Sequence, residues 1–250
     1  MAHSDDKLKA GLAPRAEAGV GAPSSAADIA TFLKAAQALT PGRAGEGKGE
    51  GRGRLAFALD ATASRQPTWS LACEIQADMF AAAAAHGGLD MQIVYYRGMG
   101  ECRASPFVGE AATLRRLMSS IRCEGGLTQI HRVLGHLEKE AERSGLKAAV
   151  FVGDALEEDE DALHAAAGQL ALRGVRLFMF QEGGDPKVER LFRALARVTS
   201  GAYCRFDMRS AGELRALLAA VAAYAAGGRA ALEARADKGA RLLLAALGGR

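Results

Sequence analysis

Arg54-Leu55-Ala56-Phe57-Ala58-Leu59-Asp60-Ala61-Thr62-Ala63-Ser64 and Ala148-Ala149-Val150-Phe151-Val152-Gly153-Asp154 decide the fold of this chain. Each is a short, unbroken apolar run that stops at an aspartate. Runs of this length are too short for a core helix and too continuous for a half-exposed strand, so they read as strands buried on both faces. Working outward, Trp69–His86 is a helix closed by Gly87-Gly88, Met91–Tyr96 a strand and Glu101–Val108 an edge strand after the Gly98–Gly100 turn. Helices follow over Glu110–Ile121 and, beyond Gly125-Gly126, over Thr128–Ser144. The remaining pattern is helix Glu158–Leu172, strand Val175–Phe180, helix Pro186–Val198, strand Ala202–Phe206 and helix Ser210–Ala225, the last with Leu214, Leu217, Leu218 and Val221 inward. Strands alternating with helices predict an α/β fold: a doubly wound, mostly parallel six-stranded sheet with helices on both faces and one short antiparallel edge strand.

The 250 residues include 54 alanines and only 6% aromatics, so the core rests on scattered Leu, Ile, Val, Phe and Met. Three regions are expected. Residues 1–53 form an arm with one helix over Ser25–Leu39 and a glycine-and-charge linker from Gly42 to Gly53; residues 54–226 form the folded domain; residues 227–250 form a helical tail. The formal net charge of +3 sits in the tail. The domain has no basic stripe with interleaved aromatics, which excludes a nucleic-acid surface. Cys73, Cys102, Cys123 and Cys204 show no metal-ligand or C-x-x-C spacing and read as idle thiols. No apolar run approaches the roughly 18 residues of a membrane span, and Asp5 and Asp6 interrupt any leader-like start, so a cytoplasmic location is expected.

In a doubly wound sheet, ligands bind beyond the carboxyl ends of the strands where the strand order reverses. Asp60 and Asp154 leave neighbouring strands there, Thr62 and Ser64 follow Asp60, and Thr128 stands at the mouth of a helix. The set is entirely oxygen, without Cys or His, which suits Mg²⁺ or Mn²⁺. The same residues also serve as helix caps in many folds, and Asp60, Asp154 and Thr128 admit that reading. Asp60-x-Thr62-x-Ser64, then Gly125-Gly126-Leu127-Thr128, then Asp154 resembles the metal-ion-dependent adhesion site of the von Willebrand factor A domain, across residues 54 to 226. Thr62 stands where that family has Ser, and Ala155 where it often has Gly. The resemblance implies that the three hydroxyls contact the ion, that the aspartates act mostly through bound water, and that a partner carboxylate completes the shell.

The function expected is therefore a protein-binding adaptor or complex-assembly module. Its partner is an unidentified protein, with an ATPase or chaperone system as the class the resemblance suggests. The alternative is a Mg²⁺-dependent phosphoryl-transfer or hydrolytic enzyme using Asp60. No catalytic set supports it: Thr62 stands where a second Asp is needed, Ser64 has no base in sequence, and His131 and His136 fall on different helix faces. The acidic run Glu157–Asp161 reads as first-turn acids of its own helix. Trp69 reads as a packing residue, and Arg115, Arg116, Arg190, Arg193 and Arg197 as solvated faces. The tail reads as a single helix over Arg229–Leu247 with Leu232, Ala236, Leu243 and Leu247 on one side, hinged at Gly227-Gly228. Its apolar face is too slight for a membrane surface, and its removal is expected to leave the domain folded.

Overall fold

A computed structural model describes residues 52–84, 86, 88–206 and 211–248; the expected helix over 25–39 and the linker before Arg52 lie outside the described residues. The strands are β1 (Gly53–Asp60), β2 (Leu89–Arg97), β3 (Glu101–Ala104), β4 (Ala148–Gly153), β5 (Arg176–Glu182) and β6 (Ala202–Phe206). They form one sheet in the order β3-β2-β1-β4-β5-β6, with β3 antiparallel to β2 and the other pairs parallel. β1 is central, paired with β2 from Gly53↔Leu89 to Asp60↔Tyr96 and with β4 from Leu55↔Ala148 to Leu59↔Val152. The order reverses across β1, which places the loops after β1 and β4 side by side.

The helices are α1 (Gln66–Ala84), α2 (Ala111–Ser119), α3 (Ile130–Ser144), α4 (Glu160–Leu172), α5 (Pro186–Val198), α6 (Ala211–Glu233) and α7 (Lys238–Gly248). The strand period of two divides the core into two layers. Leu55, Phe57, Leu59, Val150 and Val152 pack with α1, α2, α6 and α7 on one face. Ala56, Ala58, Ala149 and Phe151 pack with α3, α4 and α5 on the other. β1 thus presents large side chains to one layer and alanines to the other, where Phe151, Phe192 and Tyr96 take the space.

Local signals placed several boundaries where the sequence put them. α5 begins at Pro186 because the Asp185 carboxylate accepts from the Lys187 N–H at 2.7 Å, and Pro lacks the N–H that the first turn leaves unpaired. Val188, Leu191, Phe192, Leu195 and Ala196 then form its buried stripe. Trp69 is buried, its indole N–H donating to the Met118 carbonyl at 3.0 Å.

Two expectations are corrected. The edge strand ends at Ala104 instead of Val108, leaving one isolated bridge between Met91 and Val108. Pro106 has no N–H to continue the ladder, and the Ser105 hydroxyl takes the Ile93 N–H at 3.0 Å. The tail is not one helix. α6 runs on past a break at Gly227 and Gly228, where Gly228 has φ +66°, and α7 restarts at Lys238. The stop at 234–237 follows from Asp237, whose carboxylate caps the Ala240 N–H at 2.8 Å. Leu232, Ala240 and Leu243 are fully buried, whereas Ala236 is exposed. These residues belong to the α1–α6 layer of the core, so removal of the tail does not leave that layer intact. Leu214–Glu233 is long and apolar enough by composition to cross a membrane. Its Ala219–Ala223 stretch is buried in the sheet-facing core, the environment of a packing helix.

Candidate functional site

The site grows from the end of β1. Asp60 is 3% exposed, and one carboxylate oxygen accepts the Thr62 N–H at 2.7 Å, a turn that Asp makes readily with the backbone two residues on. The Ala61 N–H donates to the Tyr96 carbonyl at 2.9 Å, which extends the β1–β2 pairing by one residue. A single 3₁₀ turn over Ala63–Arg65 follows and brings the Thr62 and Ser64 hydroxyl oxygens to 3.3 Å. Burial pushes the Asp60 carboxyl above its ordinary value; hydrogen bonds from Thr62 and from the Tyr96 hydroxyl oppose the shift, and the charge of Asp154 adds to it. Tyr96 is wholly buried and held well above its ordinary value, first by burial and then by the Asp60 charge. It stacks on Phe151 with ring centroids 6.2 Å apart.

The second part of the site is the loop before α3. The Glu124 N–H donates to the Ala61 carbonyl at 2.9 Å, the Leu127 N–H to the Gly98 carbonyl at 3.3 Å, and the Gln129 amide to the Arg97 carbonyl at 3.0 Å. Gly126 lies so close to the β2–β3 turn that an added Cβ would stand 2.3 Å from the Gly98 carbonyl oxygen and 2.4 Å from its nitrogen. Backbone on both sides leaves no flexible atom to yield. Gly126→Ala is therefore expected to push the Thr128 loop off the sheet edge and destabilise the domain by about 1–3 kcal/mol. Denaturant unfolding checks this, and a change below about 0.5 kcal/mol would count against the close approach.

The third part is the loop after β4. The Thr128 N–H donates to a Glu157 carboxylate oxygen at 2.9 Å, and the Glu157 N–H returns a bond to the Thr128 hydroxyl at 3.1 Å. Thr128 does not open α3, as the sequence suggested. The helix begins at Ile130, and Glu158 caps it from across the site, accepting from the Ile130 N–H and from the His131 N–H at 3.0 Å. The acidic run is thus divided. Asp159 caps α4 through the Ala162 N–H at 2.8 Å with Glu160 and Asp161 in its first turn, while Glu157 and Glu158 serve the neighbouring helix. An Asp cap at position 159 was the signal that could have placed Glu157 and Glu158 outside α4.

Asp154 follows β4 with a partly exposed side chain and lies 3.7 Å from the Nη1 of Arg65. Arg65, one residue past Ser64, is 2% exposed and also pairs with Glu182 at the end of β5. Sequence reasoning missed it, because nothing local distinguishes an arginine that turns inward. Asp60, Thr62, Ser64, Thr128 and Asp154 therefore stand on three adjoining loops at one sheet edge. The Thr62–Ser64 pair is in mutual contact, Asp60 is locked to Thr62, and Thr128 and Asp154 are joined through the Glu157 loop.

The donor chemistry fits a hard divalent ion. Hydroxyl oxygens 3.3 Å apart approach the roughly 3 Å edge of an octahedron with Mg–O bonds near 2.1 Å. Among the described residues no group of three or more His, Cys, Asp and Glu side chains could hold a metal, so an ion here would rest on hydroxyls beside the two aspartates. Beside Thr128, a depression lined by Gly98, Met99, Leu127, Arg132 and Glu158 encloses about 200 Å³, less than the roughly 300–1,000 Å³ of small-molecule pockets. Its rim carries Met99 and Leu127, 64% and 47% exposed. No disulfide links the four cysteines, and burial raises the thiols of Cys73 and Cys102 to about 11 and of Cys123 to about 12.

No protein-family model matches the sequence, and no curated protein does. Solved structures do match. An aerotolerance-related membrane protein from Bacteroides fragilis is 15% identical with a TM-score of 0.51, over 68% of this chain and 98% of that one. The SpRpn10 VWA domain is 10% identical with a TM-score of 0.50, over 62% and 88%. The human COPII-coat protein Sec24c is 11% identical with a TM-score of 0.53, over 68% of this chain and 32% of that one. At these identities the likeness is one of fold, and it agrees with the strand order and the single antiparallel edge: the chain has a von Willebrand A-like α/β fold.

Proposed function

We propose that this chain is a divalent-ion-dependent protein-binding module, with Asp60, Thr62, Ser64, Thr128 and Asp154 holding Mg²⁺ or Mn²⁺. The observation that carries the reading is the Thr62–Ser64 hydroxyl pair beside a buried Asp60 whose geometry the Thr62 N–H holds. Folds of this kind typically serve protein interaction, and the small depression beside Thr128 suits a protein surface better than an enclosed substrate. When bound, the ion supplies positive charge and an open position for a partner carboxylate. The chain's own residues do the rest: Tyr96 and Thr62 orient Asp60, Glu157 holds the Thr128 loop, and Met99 and Leu127 offer apolar contact at the rim. The resemblance supplies the partner class, an ATPase or chaperone system in the cytoplasm.

Buried Asp60 gives the test its sign. Its folded-state carboxyl titrates above the ordinary value, so the ion-free fold loses stability as pH rises from the ordinary carboxylate range through the raised value. Asp60→Asn is therefore expected to raise the ion-free melting midpoint. A bound ion reverses the balance. With ion at about 100 times its Kd, the wild type gains ~2.7 kcal/mol, or about 5–10 °C, and Asp60→Asn gains none. Melting in 5 mM Mg²⁺ or Mn²⁺ against excess chelator measures both. A wild-type midpoint indifferent to ion would sink the metal reading. Fluorescence polarisation with peptides carrying Asp or Glu, lost on chelation, tests the carboxylate.

A further inference from the structure

Arg65 has no part in the five-oxygen set, yet it is the cation placed against it. Its side chain is 2% exposed, lies 3.7 Å from Asp154 and pairs with Glu182, while its Nε and Nη2 have no hydrogen-bond partner among the described residues. A structural buried pair would saturate those donors, because an idle buried donor keeps its desolvation cost. The tether is short: Arg65 belongs to the same 3₁₀ turn as Ser64, so its charge cannot move far from the site.

Resting on the metal reading above, we infer that Arg65 is a built-in counter-ion that competes with the divalent ion for Asp154 and sets the ion affinity low. A +2 ion entering beside Asp154 meets the nearby guanidinium, and like charges a few ångströms apart oppose each other. Glu182 moderates the competition by drawing Arg65 toward β5. The affinity of the site thus depends on how Arg65 divides between Glu182 and Asp154.

The two carboxylates predict opposite effects, which a packing role for Arg65 does not. Mn²⁺ and Mg²⁺ are titrated calorimetrically into chelator-stripped full-length protein, with circular dichroism and melting as checks of fold. Arg65→Met combined with Glu182→Gln removes the cation and its second partner together, and is expected to bind ion at least tenfold more tightly than wild type. Glu182→Gln alone, close in shape and leaving the cation in place, frees Arg65 for Asp154 and is expected to bind at least threefold more weakly. If the double variant does not fold, the single variant decides by itself: affinity unchanged or tighter overturns the inference. If wild type binds ion and the folded double variant binds no more tightly, the inference falls and the metal reading stands. If only the double variant binds, the inference holds and the metal reading of the native chain fails. If neither binds, both fall.

Discussion

Phe151→Ala is expected to lower the unfolding free energy by about 3–5 kcal/mol and the melting midpoint by roughly 6–20 °C. Phe151 sits on β4, the strand that borders the central β1, and is 1% exposed. It stacks nearly parallel on Tyr96, with 16° between the planes, and meets Phe192 edge-on at a centroid distance of 5.6 Å. Truncation leaves a cavity between the sheet and the α3–α5 layer, and the hydrogen-bonded sheet keeps its side of the gap from closing. The effect reaches the site as well. Tyr96 loses the ring that holds it, and its hydroxyl is one of the groups that orient Asp60. The ion-induced rise in midpoint is therefore expected to shrink in the variant. Urea unfolding with and without Mg²⁺ measures both quantities; a stability loss below about 1 kcal/mol would show that the aromatic cluster is less closely packed than described.

Leu243→Ala is expected to cost about 2–5 kcal/mol although it lies seven residues from the C-terminus of the sequence. Leu243 is fully buried with Leu232 and Ala240 in the layer that also holds α1 and α6. The approach of α7 to α6 is close: an added Cβ at Gly239 would stand 2.2 Å from the Ala216 carbonyl oxygen. A chain ending at Ala236 removes the whole of α7 and is expected to fold less stably than Leu243→Ala. Exposed Leu242, its chain neighbour and 38% accessible, serves as the control; Leu242→Ala is expected within about 0.5 kcal/mol of wild type. If Leu243→Ala behaves like Leu242→Ala, α7 is a passive end and the core stops with α6.

Local patterns in the chain laid out the succession of strands and helices, the α/β class, and the placing of Asp60 and Asp154 at the carboxyl ends of two strands. These follow from signals a few residues long: apolar runs of strand length, glycines at helix ends, and an Asp-Pro start at Asp185-Pro186 that set α5 to the residue. The closeness of the Thr62 and Ser64 hydroxyls was legible for the same reason, since a two-residue spacing after a strand keeps both at one edge. The partners of charged groups came from long-range folding alone. Arg65 reads like any arginine until β5 brings Glu182 beside it, 117 positions away. Glu157 and Glu158 read as acids of α4 until the loop after β4 lies against the first turn of α3, where backbone N–H groups lack acceptors. The tail followed the same rule: its apolar stripe was visible, but burial of Leu243 and exposure of Ala236 depended on a break at Asp237 and on the surface of α6. Backbone propensity and hydrophobic period act between near neighbours and are written in the chain. Ion pairing and burial act between segments far apart in sequence, and exist only once the sheet has brought them together.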